Sequence, residues 1–182
     1  QAAQNELANH YVKSWPYYQA LKHSVSQFMV AKPGVMPRYA GGQWFRIGAV
    51  GSGSGVIVAD KPYGTGRVVY KIERMYLDDQ VPPPTLSWLS PSPDGRILAV
   101  GICSDGSEQN TFRLIDVDTG DYLANAPLQT LMDGWMGGAQ WLPDSSGFYF
   151  LALAGKPEDF QQQVLFHCIA DGTQQRVELP GQ

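Results

Sequence analysis

The sequence carries little charge, and the balance is slightly acidic. Only 16% of its 182 residues are charged, with 13 Lys or Arg against 17 Asp or Glu and a formal net charge of −4. A protein that binds nucleic acid or anionic lipid needs a basic surface that attracts phosphate groups. We therefore expect neither a nucleic acid nor a membrane surface among its partners.

Long apolar segments are also missing. The longest runs, residues 97–100 and 148–154, are far shorter than the roughly 20 residues that a helix needs to cross a bilayer. The first six residues lack the basic and apolar parts of a secretory signal. The chain does not begin with Met, which indicates a processed protein or a part of a longer one.

Cysteine and histidine are scarce. Cys103 and Cys168 have neither a metal-binding nor a redox-motif spacing, and no ligand pair is formed by the three histidines, His10, His23 and His167. We expect no metal and no cofactor. Two isolated thiols favour a reducing compartment, so a cytoplasmic location is expected, with the periplasm as the alternative and the state of both thiols open.

The start of the chain has a helical pattern. Leu7, Tyr11 and Trp15 recur at helical spacing, and Pro16 can occupy the first turn of a second helix. The buried side of that helix is predicted to contain Tyr18, Leu21, Val25 and Phe28. Pro33 and Gly34 end the pattern. The sequence thus predicts a helical segment over residues 1–35.

After Pro37 the apolar period changes to two, which is typical of strands. Strands are predicted over residues 43–50, 56–60 and 67–72. The 12% aromatic content, with 20 Gly and 13 Pro, indicates sheets joined by many turns. The remainder of the chain is therefore predicted to be mainly β.

A repeat begins at residue 86. Trp88 and Trp141 are 53 residues apart, and each precedes a Pro-Asp turn and an apolar strand. Asp118 and Asp171, which begin turns after later strands, have the same spacing. A fainter copy places Trp44 53 residues before Ile97. A repeat of about 50 residues with four short strands is typical of a β-propeller blade.

The predicted fold is therefore an incomplete β-propeller preceded by two short α-helices. Residues 36–182 form about two to three four-stranded blades, with bounds near 38–84, 85–134 and 135–182. The alternative is a single β-sandwich in which both tryptophans are core residues. Closed propellers need about four to eight blades, so we expect this chain to be a fragment whose exposed flank favours self-association.

Several segments, in this order, resemble the N-terminal region of the prolyl oligopeptidase family of serine peptidases. The first is Ala3-Gln4-Asn5 on the first helix, and the second is Val35-Met36-Pro37-Arg38-Tyr39. The others are Ser92-Pro93-Asp94-Gly95-Arg96, the stretch 112–120 that ends in Asp-Thr-Gly, and the stretch 144–150 that begins Asp-Ser-Ser-Gly.

The resemblance implies a parent enzyme that hydrolyses short peptides. Its Ser-His-Asp triad would lie on a C-terminal α/β-hydrolase domain outside this chain, beneath a seven-bladed propeller that restricts access. The helices would pack against that domain. The chain's partners would then be the hydrolase domain, the remaining blades and a short peptide. The alternative is a stand-alone propeller that binds a protein.

The residues themselves offer no catalytic group. The segment 51–55 alternates Gly and Ser, but its centre is Gly53, so it lacks the Gly-x-Ser-x-Gly nucleophile pattern. His167 alternates with Phe166 and Cys168 and is expected to face solvent or to be a satisfied strand residue. Whether this chain alone has any activity stays open, and no catalytic residue is predicted.

One stretch is a candidate for contact with the substrate. Trp135 and Met136 precede the inner strand that carries Trp141. The resemblance implies that a residue about five positions before this tryptophan contributes to the substrate-facing pocket, and that position is Met136. The alternative is that Trp135 and Met136 pack between blades.

Overall fold

The computed structural model describes residues 2–29, 36–51, 53–72, 84–103, 109–125, 131–133, 138–155, 159 and 161–178. The chain divides into two compact units, Gln1–Pro33 and Gly34–Gln182. The first contains helices and the second contains sheets.

The helical unit consists of α1 (Ala2–Lys13) and α2 (Tyr18–Met29). The predicted pair of helices is thereby confirmed, but the predicted burial of α2 is wrong in part. Leu21 and Val25 are 51% and 45% exposed, and on α1 Leu7 and Tyr11 are more exposed still. Two 12-residue helices have too little surface to bury an apolar stripe within their own unit. Among the described residues, no helix has the length and apolar character needed to span a membrane.

The second unit contains three antiparallel sheets of four strands each, with the strands of each sheet adjacent in chain order. Blade 1 comprises β1 (Arg38–Ala40), β2 (Gln43–Val50), β3 (Gly53–Ala59) and β4 (Arg67–Ile72). Blade 2 comprises β5 (Thr85–Pro91), β6 (Ile97–Cys103), β7 (Gln109–Asp116) and β8 (Leu131–Asp133). Blade 3 comprises β9 (Gln140–Trp141), β10 (Gly147–Ala154), β11 (Gln161–Cys168) and β12 (Gln174–Arg176). The predicted fold class, a mainly β partial propeller after two short helices, is confirmed.

Equivalent positions in blades 2 and 3 are not separated by the 53 residues that lie between Trp88 and Trp141. In the first hairpin of blade 2 the Ser92 N–H donates to the Ile97 carbonyl, and in blade 3 the Leu142 N–H donates to the Gly147 carbonyl. These equivalent residues are 50 apart. Trp88 lies four residues before Ser92, whereas Trp141 directly precedes Leu142. The two tryptophans are therefore not at equivalent positions.

The core lies between blades, because neighbouring blades bury their facing apolar surfaces against each other, and blade 2 does so on both of its faces. On β6, Leu98, Val100 and Ile102 belong to the core between blades 1 and 2, whereas Ala99 faces blade 3. The alternation follows from the period of two along a strand. We call the second cluster the blade 2–3 core; its buried members are Trp88, Ala99, Phe112, Leu114, Ala139, Phe148, Phe150 and Ala152.

Aromatic rings dominate the blade 2–3 core. The centroid of the Phe112 ring lies 4.9 Å from that of Phe150 and 5.6 Å from that of Phe148. Trp88 lies in the same blade as Phe112, and the two rings meet edge to face with their centroids 5.0 Å apart. Trp141 lies 4.9 Å from Phe148. Both tryptophans thus contact one cluster, from opposite blades.

Gly101 makes room for one of these rings. The indole of Trp88 lies directly over this residue of β6, and a Cβ at Gly101 would overlap the indole Nε1. The φ angle of Gly101 lies outside the left-handed region, so space and not backbone conformation requires the glycine. The tryptophan can reach the blade 2–3 core because the neighbouring strand has no side chain here.

We predict that Gly101→Ala destabilises the chain by roughly 1–3 kcal/mol, since the added methyl group forces Trp88 out of its packed position. Urea unfolding, followed by circular dichroism, measures the change. Gly48→Ala in β2 is the matched control. Its new Cβ would meet mainly the flexible end of the Arg46 side chain, so its cost should be smaller. An equal or smaller cost for Gly101→Ala would contradict this account.

Candidate functional site

The candidate substrate contacts, Trp135 and Met136, lie outside the described residues. The described residues stop at Asp133 of β8 and continue from Gly138. This connection leads from the last strand of blade 2 to the first strand of blade 3. The prediction that Trp135 and Met136 contact substrate stays a prediction, and the site that can be built from the described residues is the adjoining seam between the two blades.

Hydrogen bonds join the first strands of blades 2 and 3. Ser90 of β5 donates from Oγ to the Ala139 carbonyl at 2.6 Å. Trp141 of β9 donates in return from its indole Nε1 to the Ser90 carbonyl at 3.1 Å. Ala139 is buried, whereas Ser90 and Trp141 are half-buried, so this reciprocal pair lies at the edge of the seam. The seam is thus fixed by directional bonds as well as by the aromatic contacts behind them.

The hairpin turns add a third bond across the seam. The Asp94 N–H donates to Ser145 Oγ at 3.2 Å. Ser145 has a φ of 61°, in the left-handed region, where the equivalent residue of blade 2 is Gly95 at 73°. A serine at this position is strained relative to glycine. Its hydroxyl supplies the bond to blade 2 that a glycine could not make.

Asp94 organises the turn of blade 2. Its Oδ1 accepts hydrogen bonds from Ser92 Oγ at 2.6 Å and from the Arg96 N–H at 3.1 Å. Partial burial acts to raise the pKa of Asp94, but these bonds, with Ser145, outweigh it and lower the pKa below its ordinary value. The ionised Asp94 carboxylate therefore stabilises the turn, and its lowered pKa is explained by these local hydrogen bonds.

Two further aspartates of blade 3 have the same role. Ser146 donates from both its hydroxyl and its N–H to Asp144, and Thr173 does so to Asp171. These hydrogen bonds lower the pKa of both carboxyls. Local turns of this kind need no ligand to explain them. Among the residues that the structure places, no group of three or more His, Cys, Asp or Glu could hold a metal ion.

His167 differs from its expected position. It was predicted to face solvent or to be satisfied within its strand, but its side chain is fully buried, and neither Nδ1 nor Nε2 has a hydrogen-bond partner in the described part of the chain. Its ring packs on Phe148 at 5.1 Å. The prediction is wrong because β11 turns residues 165 and 167 toward blade 2. An ionisable side chain thus lies within an apolar seam.

A cleft of about 410 Å³ lies beside His167, between the turns of blades 2 and 3. Its walls combine charged and apolar side chains: Asp94, Arg96, Ile97, Leu114, Asp116, Leu123, Ala124, Asn125, His167 and Ile169. This cleft could not be predicted from the sequence, because its lining residues come from four separate stretches. A histidine in the register of core residues was the one available clue.

The family match and the similar solved structures both point to the same protein family. Residues 77–179 match the N-terminal β-propeller domain of prolyl oligopeptidase. No curated protein sequence matches the chain. A solved prolyl endopeptidase superimposes on 96% of the chain with a TM-score of 0.70 and 18% identity, and the chain covers 26% of that protein.

Two other solved structures show the same fold. Prolyl oligopeptidase B from Galerina marginata, solved with a 35mer substrate, matches 97% of the chain at 18% identity and a TM-score of 0.63. TolB from Acinetobacter baumannii matches 82% of the chain at 16% identity and a TM-score of 0.51. The chain covers 27% and 33% of these two proteins. It therefore spans about a quarter to a third of the length of the solved proteins that it resembles.

The seam predicts a measurable role for Trp141. Trp141→Phe keeps a ring against Phe148 but removes the Nε1 donor, which should lower the free energy of unfolding by about 0.5–1.5 kcal/mol and raise hydrogen exchange in blade 3. Trp44→Phe is the matched control, because Trp44 packs on Tyr39 in blade 1 and lies away from this seam. Unchanged exchange in blade 3 of Trp141→Phe would contradict the role.

Proposed function

Because the chain belongs to the prolyl oligopeptidase N-terminal β-propeller family, we propose that it is a non-catalytic part of a serine peptidase's propeller, which gates the access of short peptides to a catalytic α/β-hydrolase domain outside the chain. The observation that carries the proposal is the series of three consecutive four-stranded blades, of which blades 2 and 3 lie within the matched residues 77–179.

The described side chains support a non-catalytic role. A serine nucleophile needs a histidine base within hydrogen-bonding reach. His167 is the only histidine after residue 33, and neither of its ring nitrogens has a hydrogen-bond partner among the residues that the structure describes. The aspartates of the turns are held by local hydrogen bonds. Hydrolysis is therefore assigned to residues elsewhere in the protein.

The seam between blades supports gating. A channel excludes large substrates only if its wall resists widening, and each seam sets that resistance. Two hydrogen bonds join blades 1 and 2. The Gly41 N–H donates to the Pro93 carbonyl, and Arg67 donates from Nη1 to the Val117 carbonyl. Blades 2 and 3 are joined by the bonds of Ser90. Wall segments fixed in this way suit a gate that admits peptides and excludes folded proteins.

The helical unit fits a docking role in the same proposal. Large apolar side chains are exposed on both helices and in the connection between them, among them Leu7, Tyr11, Trp15, Leu21 and Val25. An exposed apolar stripe favours burial against another surface. In the proposed protein that surface belongs to the hydrolase domain. The expected partners of the chain are thus that domain, the remaining blades and a short peptide.

The test uses one peptide in two contexts with the full-length protein. We expect the free peptide to be cleaved and the same sequence, placed in an exposed loop of a stable folded protein, to be cleaved at least 100-fold more slowly in kcat/KM, which corresponds to a difference of about 2.7 kcal/mol in activation free energy. Comparable rates for the two substrates would contradict gating. An unfolded version of the carrier protein controls for the sequence around the cleavage site.

Labelling with a fluorophosphonate separates the catalytic assignment from the gate. The full-length protein should be labelled, and the 182-residue chain alone should not. Labelling of the chain alone would overturn its non-catalytic role. Absence of labelling in the full-length protein would favour the alternative, a stand-alone propeller that binds a protein.

A further inference from the structure

His167 occupies a position that blade 2 fills with an aliphatic residue. In the register of the sheets His167 pairs with Phe148, as Ile115 pairs with Leu98. Phe148 and Leu98 are each six residues after the equivalent amides of Leu142 and Ser92. Ile115 is fully buried in its seam, and so is His167. The histidine therefore replaces a core residue in the seam between blades 2 and 3.

The environment of His167 favours its neutral form. Both ring nitrogens are buried without a hydrogen-bond partner in the described residues, and one ring face packs on Phe148. Burial lowers the pKa of His167 below its ordinary value, and the Asp171 carboxylate offsets only part of this effect. A proton on the ring would place an unpaired charge in an apolar core, which is costly.

The charged groups near His167 come from both blades of the seam. Asp94 and Arg96 lie on the turn of blade 2, Asp116 lies at the end of β7, and Asp171 lies in the hairpin after β11. Arg96 opposes a second positive charge. The Oδ1 atoms of Asp94 and Asp116 already accept bonds from their own turns. The closed seam thus offers the protonated ring no direct partner among the described residues, whereas the adjoining cleft is lined by the carboxylates of Asp94 and Asp116.

We propose that His167 is a pH-sensitive latch on the seam between blades 2 and 3. The neutral ring packs on Phe148 and keeps the seam closed. Uptake of a proton favours a loosened seam in which the ring moves toward the cleft. The latch is a property of this seam and does not depend on the gating proposal.

The direction of the pH effect follows from linkage. Below the ordinary histidine pKa of about 6.5 the open or unfolded chain binds a proton that the closed seam resists. Stability contributed by the closed seam is therefore complete above this pH. It is lost as the pH falls from about 6.5 to the lowered pKa of buried His167. Asp94, Asp144 and Asp171, whose pKa values are lowered, stay ionised throughout this window.

Hydrogen exchange of the full-length protein between pH 7.5 and 5.5 tests the latch. After correction for the intrinsic pH dependence of exchange, the opening equilibrium of β9–β11 should rise by up to about tenfold per pH unit below 6.5. Exchange of β2 and β3 in blade 1 is the internal reference and should change far less. Equal pH dependence in both blades, or none in blade 3, would overturn the proposal.

Two variants isolate the group responsible. His167→Ile introduces the residue type that blade 2 uses and should abolish the extra pH dependence of blade 3. His10→Gln, on an exposed helix position, should leave it unchanged. Persistence of the extra pH dependence in His167→Ile would overturn the latch. An NMR titration of His167 in the unsubstituted protein needs no variant, and a measured pKa at or above 6.5 would also overturn it.

Discussion

The contact of Phe112 with Phe148 and Phe150 is the interaction on which the order of the blades depends. Each blade is a thin sheet that cannot bury its apolar faces alone, so a neighbouring blade must cover them. These rings form the centre of the blade 2–3 core. Gly101 gives Trp88 access to this core, and the hydrogen bonds between Ser90, Ala139 and Trp141 lie at its edge. The same seam encloses His167.

The fold was predictable from the sequence because its signals are local. The Pro93-Asp94 and Pro143-Asp144 turns each separate two strands, and both form through hydrogen bonds within a few residues. The exact repeat was not predictable to the residue. The equivalent hairpin positions Ser92 and Leu142 are 50 residues apart. Trp88 and Trp141 are 53 residues apart although they are not equivalent, so their spacing is a coincidence. A sequence repeat counts residues, but it does not show which strand position faces a given blade.

The site was less predictable because it depends on contacts between blades. His167 lies in an alternating strand, and the sequence does not say which of its two faces is buried. Leu21 and Val25 show the opposite failure, since an apolar stripe on α2 predicted burial that its own unit does not supply. The candidate substrate contacts, Trp135 and Met136, lie outside the described residues. The resemblance that suggested them indicates a family, and only geometry can assign a residue to a pocket.

The seam links the fold to the proposed function, since a propeller gates a catalytic domain only while neighbouring blades stay packed. The most direct test is an experimental structure of the full-length protein with a fluorophosphonate bound to its nucleophile. The account predicts that blades 1–3 form consecutive sectors of a closed ring whose central channel leads to the labelled serine. A labelled serine open to solvent without passing the ring, or a sandwich packing of residues 38–176, would contradict it.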